Sequence, residues 1–209
     1  MAFKQIGDIL RFLRARDFFG ALVPGAVVTY VIVWLSPGTF LEPHLQPHLH
    51  LIKGNEERWV AFFIAALIVG YALEGISSIL DPIYDITYRR IKRRVNDSLY
   101  EFARSRAVEA IPSILETGSV YRWTEVDVSS RDKADADRVE NLQAVSKMFR
   151  SLTLVLLFAA VALFLHSTNL LAFTMLAIAL LFFWIFSERR WNATCFVYQR
   201  FNEVHGSKP

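Results

Sequence analysis

The chain has 209 residues, 54% of them hydrophobic, and its 23 Lys and Arg against 20 Asp and Glu give a formal net charge of +3. With a mean hydropathy of +0.31 it carries more apolar side chain than a soluble core of this size needs. That points to a membrane protein, and the 17 Phe and 5 Trp exclude a disordered chain because their burial offsets the entropy of ordering. One cysteine, Cys195, excludes an internal disulfide and a cysteine-based metal cluster.

Residues 1–17 read as an amphipathic helix. Phe3, Ile6, Leu10 and Leu13 share one face, with Lys4, Arg11 and Arg14 elsewhere, so it lies on the inner leaflet or packs on the cytoplasmic part of the protein. This charged stretch precedes the first apolar run and no small-x-small site follows, so the run is expected to stay in place as a first span, 18–35. Gly20, Pro24 and Gly25 lie within it. Proline removes a helix hydrogen bond and glycine permits close approach, which predicts a kink at Pro24 serving either packing or gating. Residues 36–58 form an external loop containing PHLQPHLH. His44, His48 and His50 offer imidazoles that suit zinc, but Pro47 blocks the helix that would align them and no fourth ligand is evident. No metal or cofactor is therefore expected.

The second span, 59–80, holds Glu74. Its eleven Val, Ile, Leu and Phe residues are worth roughly −3 to −7 kcal/mol for insertion against about +3 for the charge, so the span tolerates the acid. Counted from Trp59, Glu74 sits about 22 Å into a core of about 30 Å, too deep to reach the headgroups easily. At 100° per residue Tyr71, Glu74, Ser77, Ser78, Asp81 and Asp85 fall on one polar stripe, which should face other helices or water. Two readings follow. In one, Glu74 is paired with a base such as Arg150 or Arg189, or kept protonated, and acts as glue; in the other, the stripe lines an ion or proton path or acts as a switch.

Residues 81–147 read as a cytoplasmic helical extension. Asp81-Pro82 should bend the chain, and Ile83, Ile86, Ile91, Val95, Leu99 and Phe102 continue a helical apolar pattern. Arg89, Arg90, Lys92, Arg93 and Arg94 form a juxtamembrane basic cluster suited to anionic lipid and to fixing topology; its position and the lack of a recognised module argue against nucleic acid. The pattern fails at Ile111-Pro112, and Thr117–Ser130 looks like a turn or extended piece. Ser129 or Ser130 then caps a helix whose seam of Val139, Leu142, Val145, Phe149 and Leu152 runs into the third span, 148–166. Ser167, Thr168 and Asn169 turn it into the fourth span, 170–187, with Ala159, Ala160 and Ala162 facing Ala172, Ala177 and Ala179. Residues 188–209 follow as a tail. The stalk seams look modest for a self-sufficient domain, which predicts pairing with further copies of the chain or with a cytosolic protein.

Lys and Arg set the direction: four in residues 1–17, thirteen in 81–150 and four after the fourth span, against two in the first loop. The expected fold is all-α and polytopic, with four transmembrane helices, both termini inside, and Trp34 and Trp59 opposite Trp184 and Trp191 as aromatic belts. No nucleophile elbow, Walker loop, HExxH or CxxC occurs, so an enzyme is not expected.

Asp17, Gly20, Pro24 and Gly25, together with the four-span layout and helical insert, resemble small bacterial four-span inner-membrane proteins. Some of these sit in anti-phage defence operons, such as the Kiwa membrane subunit, CRISPR-associated four-span accessories and four-span effectors of nucleotide signalling. The resemblance implies a bacterial inner-membrane homo-oligomer that recruits a cytosolic partner or permeabilises the membrane. Two functions follow as expectations: a non-enzymatic scaffold or sensor acting through its cytoplasmic helices, or a cation channel lined by the acidic stripe.

Overall fold

The computed structural model describes residues 18–35, 55–93, 97–110, 119–165 and 169–206. The expectations for residues 1–17, for His44, His48 and His50 and for Arg94 lie outside these residues. Every described element is a helix. Helix α1 covers 18–35 as a π-helical turn, Phe18–Leu22, followed by α-helix Val23–Leu35. Helix α2 covers 55–93, and α3 to α6 are Asp97–Ala110, Val120–Arg131, Lys133–Leu165 and Asn169–Gly206.

Three helices are long and apolar enough to cross a membrane: Arg58–Lys92 within α2, α5 and α6; α1 is a shorter apolar helix. Side chains such as Ile68, 66% exposed, and Leu165, 80% exposed, would be costly in water and are natural against acyl chains. Trp59 and Trp184 are exposed too, as interfacial aromatics require. The chain divides into two compact units, Met1–Ser78 with Lys147–Trp184, and Ile79–Ser146 with Ile185–Pro209.

In the first unit α1 and α2 approach backbone to backbone. Ala21 and Gly25, four apart, meet Ala66 and Gly70, also four apart: a Cβ on Gly25 would lie 1.7 Å from the Ala66 carbonyl oxygen, and one on Gly70 2.0 Å from that of Ala21. Without a hydrophobic drive between helices in lipid, such close contact is what holds a pair together. Gly25 therefore sits where the two backbones pack. The helix type changes ahead of Pro24, which lies buried in the first α-turn, where a missing N–H is tolerated. In the same unit α5 and α6 run antiparallel, with Phe149 edge-on to Phe182 at 5.2 Å and Phe164 edge-on to Phe173 at 5.1 Å. Of the small residues expected between them, Ala160, Ala172 and Ala179 are buried, while Ala162 and Ala177 face outward.

The second unit corrects three expectations. Of the segment expected as a turn or extended piece, residues 120–130 are helical, because Val120, Thr124 and Val128 make a buried i, i+4, i+8 stripe and the Thr124 hydroxyl donates to the Val120 carbonyl of its own helix; Thr117 lies outside the described residues. Ser129 and Ser130 therefore lie in the last turn of α4, and Asp132 caps α5 by accepting from the Ala134 N–H at 2.9 Å. The tail is not an appendage, since α6 continues to Gly206 and supplies Val197, Tyr198 and Phe201 to the core. Tyr198 meets Tyr100 at 5.8 Å and Tyr121 at 6.1 Å, Trp123 meets Phe201 at 5.3 Å, and Ala103, Ala107, Val120 and Val128 close around them. The seams read from residues 83–147 are thus joined in this core by side chains of α6.

Helix α2 also passes Asp81-Pro82 without ending. A 3-10 turn, Ser78–Leu80, precedes an α-turn with Pro82 in its first positions, and a π turn, Asp85–Arg89, follows. On this stretch Leu80 and Tyr84 are buried, Tyr84 against Phe186 at 5.7 Å, whereas Ile83, Ile86 and Ile91, expected as a packing seam, are exposed.

Asp127 of α4 accepts from Arg131 at 3.0 Å and contacts His205 of α6 at 3.0 Å. Burial pushes its carboxyl up, but these hydrogen bonds outweigh that and hold it below its ordinary value of 3.8.

Two outcomes follow. Gly25→Ala or Gly70→Ala should lower unfolding free energy in detergent by about 2 kcal/mol or more through overpacking, while Gly75→Ala, which meets nothing within 4 Å, should be neutral or stabilising. Because the folded value of Asp127 is depressed, its contribution is complete above the ordinary value and is lost as pH falls through the folded one. The thermal midpoint of the full chain should therefore fall below about pH 4, less steeply in Asp127→Asn.

Candidate functional site

The polar cluster of the first unit joins α2 to α5. Glu74 and Ser77 lie one turn apart on α2; Lys147, Arg150 and Ser151 occupy i, i+3 and i+4 on α5, so each set shares a face. The Lys147 ammonium donates to Glu74 Oε1 at 2.5 Å, with 22% of the lysine and 16% of the glutamate side chain exposed. Arg150 is buried. Its Nε donates to Ser77 Oγ at 3.2 Å and a terminal nitrogen donates to the Glu74 backbone carbonyl at 3.1 Å. The Ser77 hydroxyl donates to the same carbonyl at 3.0 Å and lies 3.3 Å from Ser151 Oγ, both serines being fully buried. Carboxylate, ammonium, guanidinium and two hydroxyls thus satisfy one another where water is scarce, which is the condition for keeping charges at such a site.

Bases from α5 meet Glu74, as the first of the two readings requires, and they include one that reading did not name. Lys147 supplies the countercharge; Arg150 binds the adjacent hydroxyl and carbonyl, and Arg189 is exposed. Sequence reasoning assigned Lys147 to the end of the stalk. The spacing Lys147-x-x-Arg150-Ser151 within an apolar seam was the signal that could have found it, since only a shared face places both bases beside one acid.

The polar stripe is not a single lining. Glu74, Ser77 and Asp81 are turned toward protein, while Tyr71, Ser78 and Asp85 are exposed. Ser78 returns its hydroxyl to the Gly75 carbonyl at 2.7 Å, and Asp85 accepts from Arg89 of its own helix at 3.0 Å. Tyr71, ahead of the 3-10 turn, is exposed as well, so the stripe is wider than the face that α2 turns toward protein. Within the second unit Asp81 pairs with Arg190, whose guanidinium sits 5.1 Å above the Tyr84 ring and 5.9 Å from that of Phe186.

Of the basic cluster, Arg90 and Lys92 are exposed, with Lys92 5.7 Å over Tyr88, and Arg89 is held by Asp85. The side chains of Arg93 and Arg94 lie outside the described residues. A Cβ added at Gly20 would meet the Lys147 side chain at 3.7 Å, ordinary van der Waals contact, whereas one at Gly25 has no room. Among the described residues no three His, Cys, Asp or Glu side chains converge as a metal site. An open groove in the second unit is lined by Arg106, Glu109, Trp123, Phe201 and His205.

Arg150→Met should lower unfolding free energy in detergent by about 3 kcal/mol, because it strips a buried hydroxyl and carbonyl of their donor, whereas Arg189→Met should stay within about 0.5 kcal/mol. Comparison with family models, with curated proteins and with solved structures finds no match.

Proposed function

We propose that the chain is a non-enzymatic membrane scaffold or sensor: a four-span homo-oligomer of the bacterial inner membrane whose second unit, on the cytoplasmic side, holds or regulates a cytosolic protein. One observation carries the choice over a cation channel. Each carboxylate that would form an acidic ring, Glu74, Asp81 and Asp85, already has a base of the same chain within hydrogen-bonding distance: Lys147, Arg190 and Arg89. A filter needs ligands that exchange with the ion; carboxylates held by bases of the same chain act as ties between and along helices.

The orientation is argued from the basic residues that follow the apolar stretches 59–80 and 170–187, and α1, an apolar helix of 18 residues shorter than the other three, serves as the remaining span. The groove lined in part by half-buried Trp123 offers an aromatic contact of the kind a protein partner uses. The resemblance to defence-associated four-span proteins gives the reading a setting, in which the unit relays the state of the membrane to a soluble effector.

Purified protein in liposomes should pass no cations, run as more than one copy by light scattering, and capture a cytosolic protein that Trp123→Ser releases. A cation current abolished by Glu74→Gln would overturn the scaffold in favour of a channel.

A further inference from the structure

Beyond Ser77, helix α2 turns an apolar face outward where a soluble stalk would be polar. Ile79, Ile83, Ile86 and Ile91 are 66%, 47%, 68% and 69% exposed. Their steps are four, three and five, and the last crosses the π turn Asp85–Arg89, whose i→i+5 bonding brings residues five apart to about the same side. Opposite them Leu80 and Tyr84 are buried. Among the described residues the isoleucine row is therefore on the outer side of α2.

The row ends among cations. Arg90 and Lys92 are exposed, and Arg89 neutralises the exposed acid within the row, Asp85, at 3.0 Å. Isoleucines flanked by Arg, Lys and Tyr88 have the composition of a helix face buried at the boundary of acyl chains and headgroups, with cations reaching the phosphates. Apolar enough to span, the helix continues to Lys92 and does not stop at Leu80.

We infer that Ile79–Lys92 is a lipid-docking face: the isoleucines enter the leaflet at this end of α2, and Arg90 with Lys92 binds the headgroups of anionic phospholipid. The occupant is a lipid surface and not a protein, because the face pairs a row of exposed isoleucines with the exposed cations Arg90 and Lys92. The inference rests on the membrane class alone and stands or falls apart from the scaffold reading.

The full chain carrying Cys195→Ser and either Ile86→Cys or Ser105→Cys, in nanodiscs of phosphatidylcholine with phosphatidylglycerol, provides the test. A water-soluble maleimide should label position 105, on the exposed side of α3, and spare position 86. Each basic residue near an anionic surface gives about a fivefold preference, so Arg90→Glu with Lys92→Glu should cut the phosphatidylglycerol retained per protein after detergent exchange by at least that factor. Because both substitutions lie on the surface, the folded yield should not change. Labelling at position 86 as fast as at 105, or phosphatidylglycerol retention unchanged by the charge reversals, would overturn the inference; a soluble phosphate that competes as well as the lipid would do the same.

Discussion

The contact between Glu74 on α2 and Lys147 on α5 constrains everything around it. A carboxylate at that depth cannot be left to lipid, so the chain must bring it a countercharge and fill its remaining hydrogen-bonding capacity. It does so by continuing α5 unbroken from the charged region into the apolar one, which carries Lys147 and Arg150 to the level of Glu74 and Ser77. The register of two spans is fixed by that match, since sliding either helix by one residue would part both bases from the acid.

Around this tie, the rest of the first unit uses packing and not charge. Ala21, Gly25, Ala66 and Gly70 let α1 and α2 touch backbone to backbone, and edge-to-face phenylalanines join α5 to α6. The second unit is held in the manner of a water-soluble bundle, with Tyr198 and Phe201 as its centre and ion pairs such as Arg200 with Asp135 outside.

Residues 59–80, 148–166 and 170–187 announced themselves by length and apolarity, because hydrocarbon imposes both on any helix that crosses it. Glu74 was legible as a residue that needs a partner, but not which partner, as three-dimensional neighbours 73 residues apart leave no local trace. The close approach at Gly25 emerged only once Ala66 and Gly70 were seen opposite. Helix α4 was hidden because its buried stripe runs through Thr124, a residue whose polarity masks the period, and the tail was hidden because Tyr198 and Phe201 sit among charges. Ile83, Ile86 and Ile91 kept a helical period, yet period alone does not say whether an apolar face meets protein or lipid.

The direct test is a double-mutant cycle of Glu74→Gln and Lys147→Met, read as unfolding free energy of the full chain in one detergent. A tie between the helices predicts that each single change is more damaging than the pair is by addition, with a coupling of about 1.5 kcal/mol or more. Coupling indistinguishable from zero, with Glu74→Gln alone leaving stability unchanged, would contradict the account.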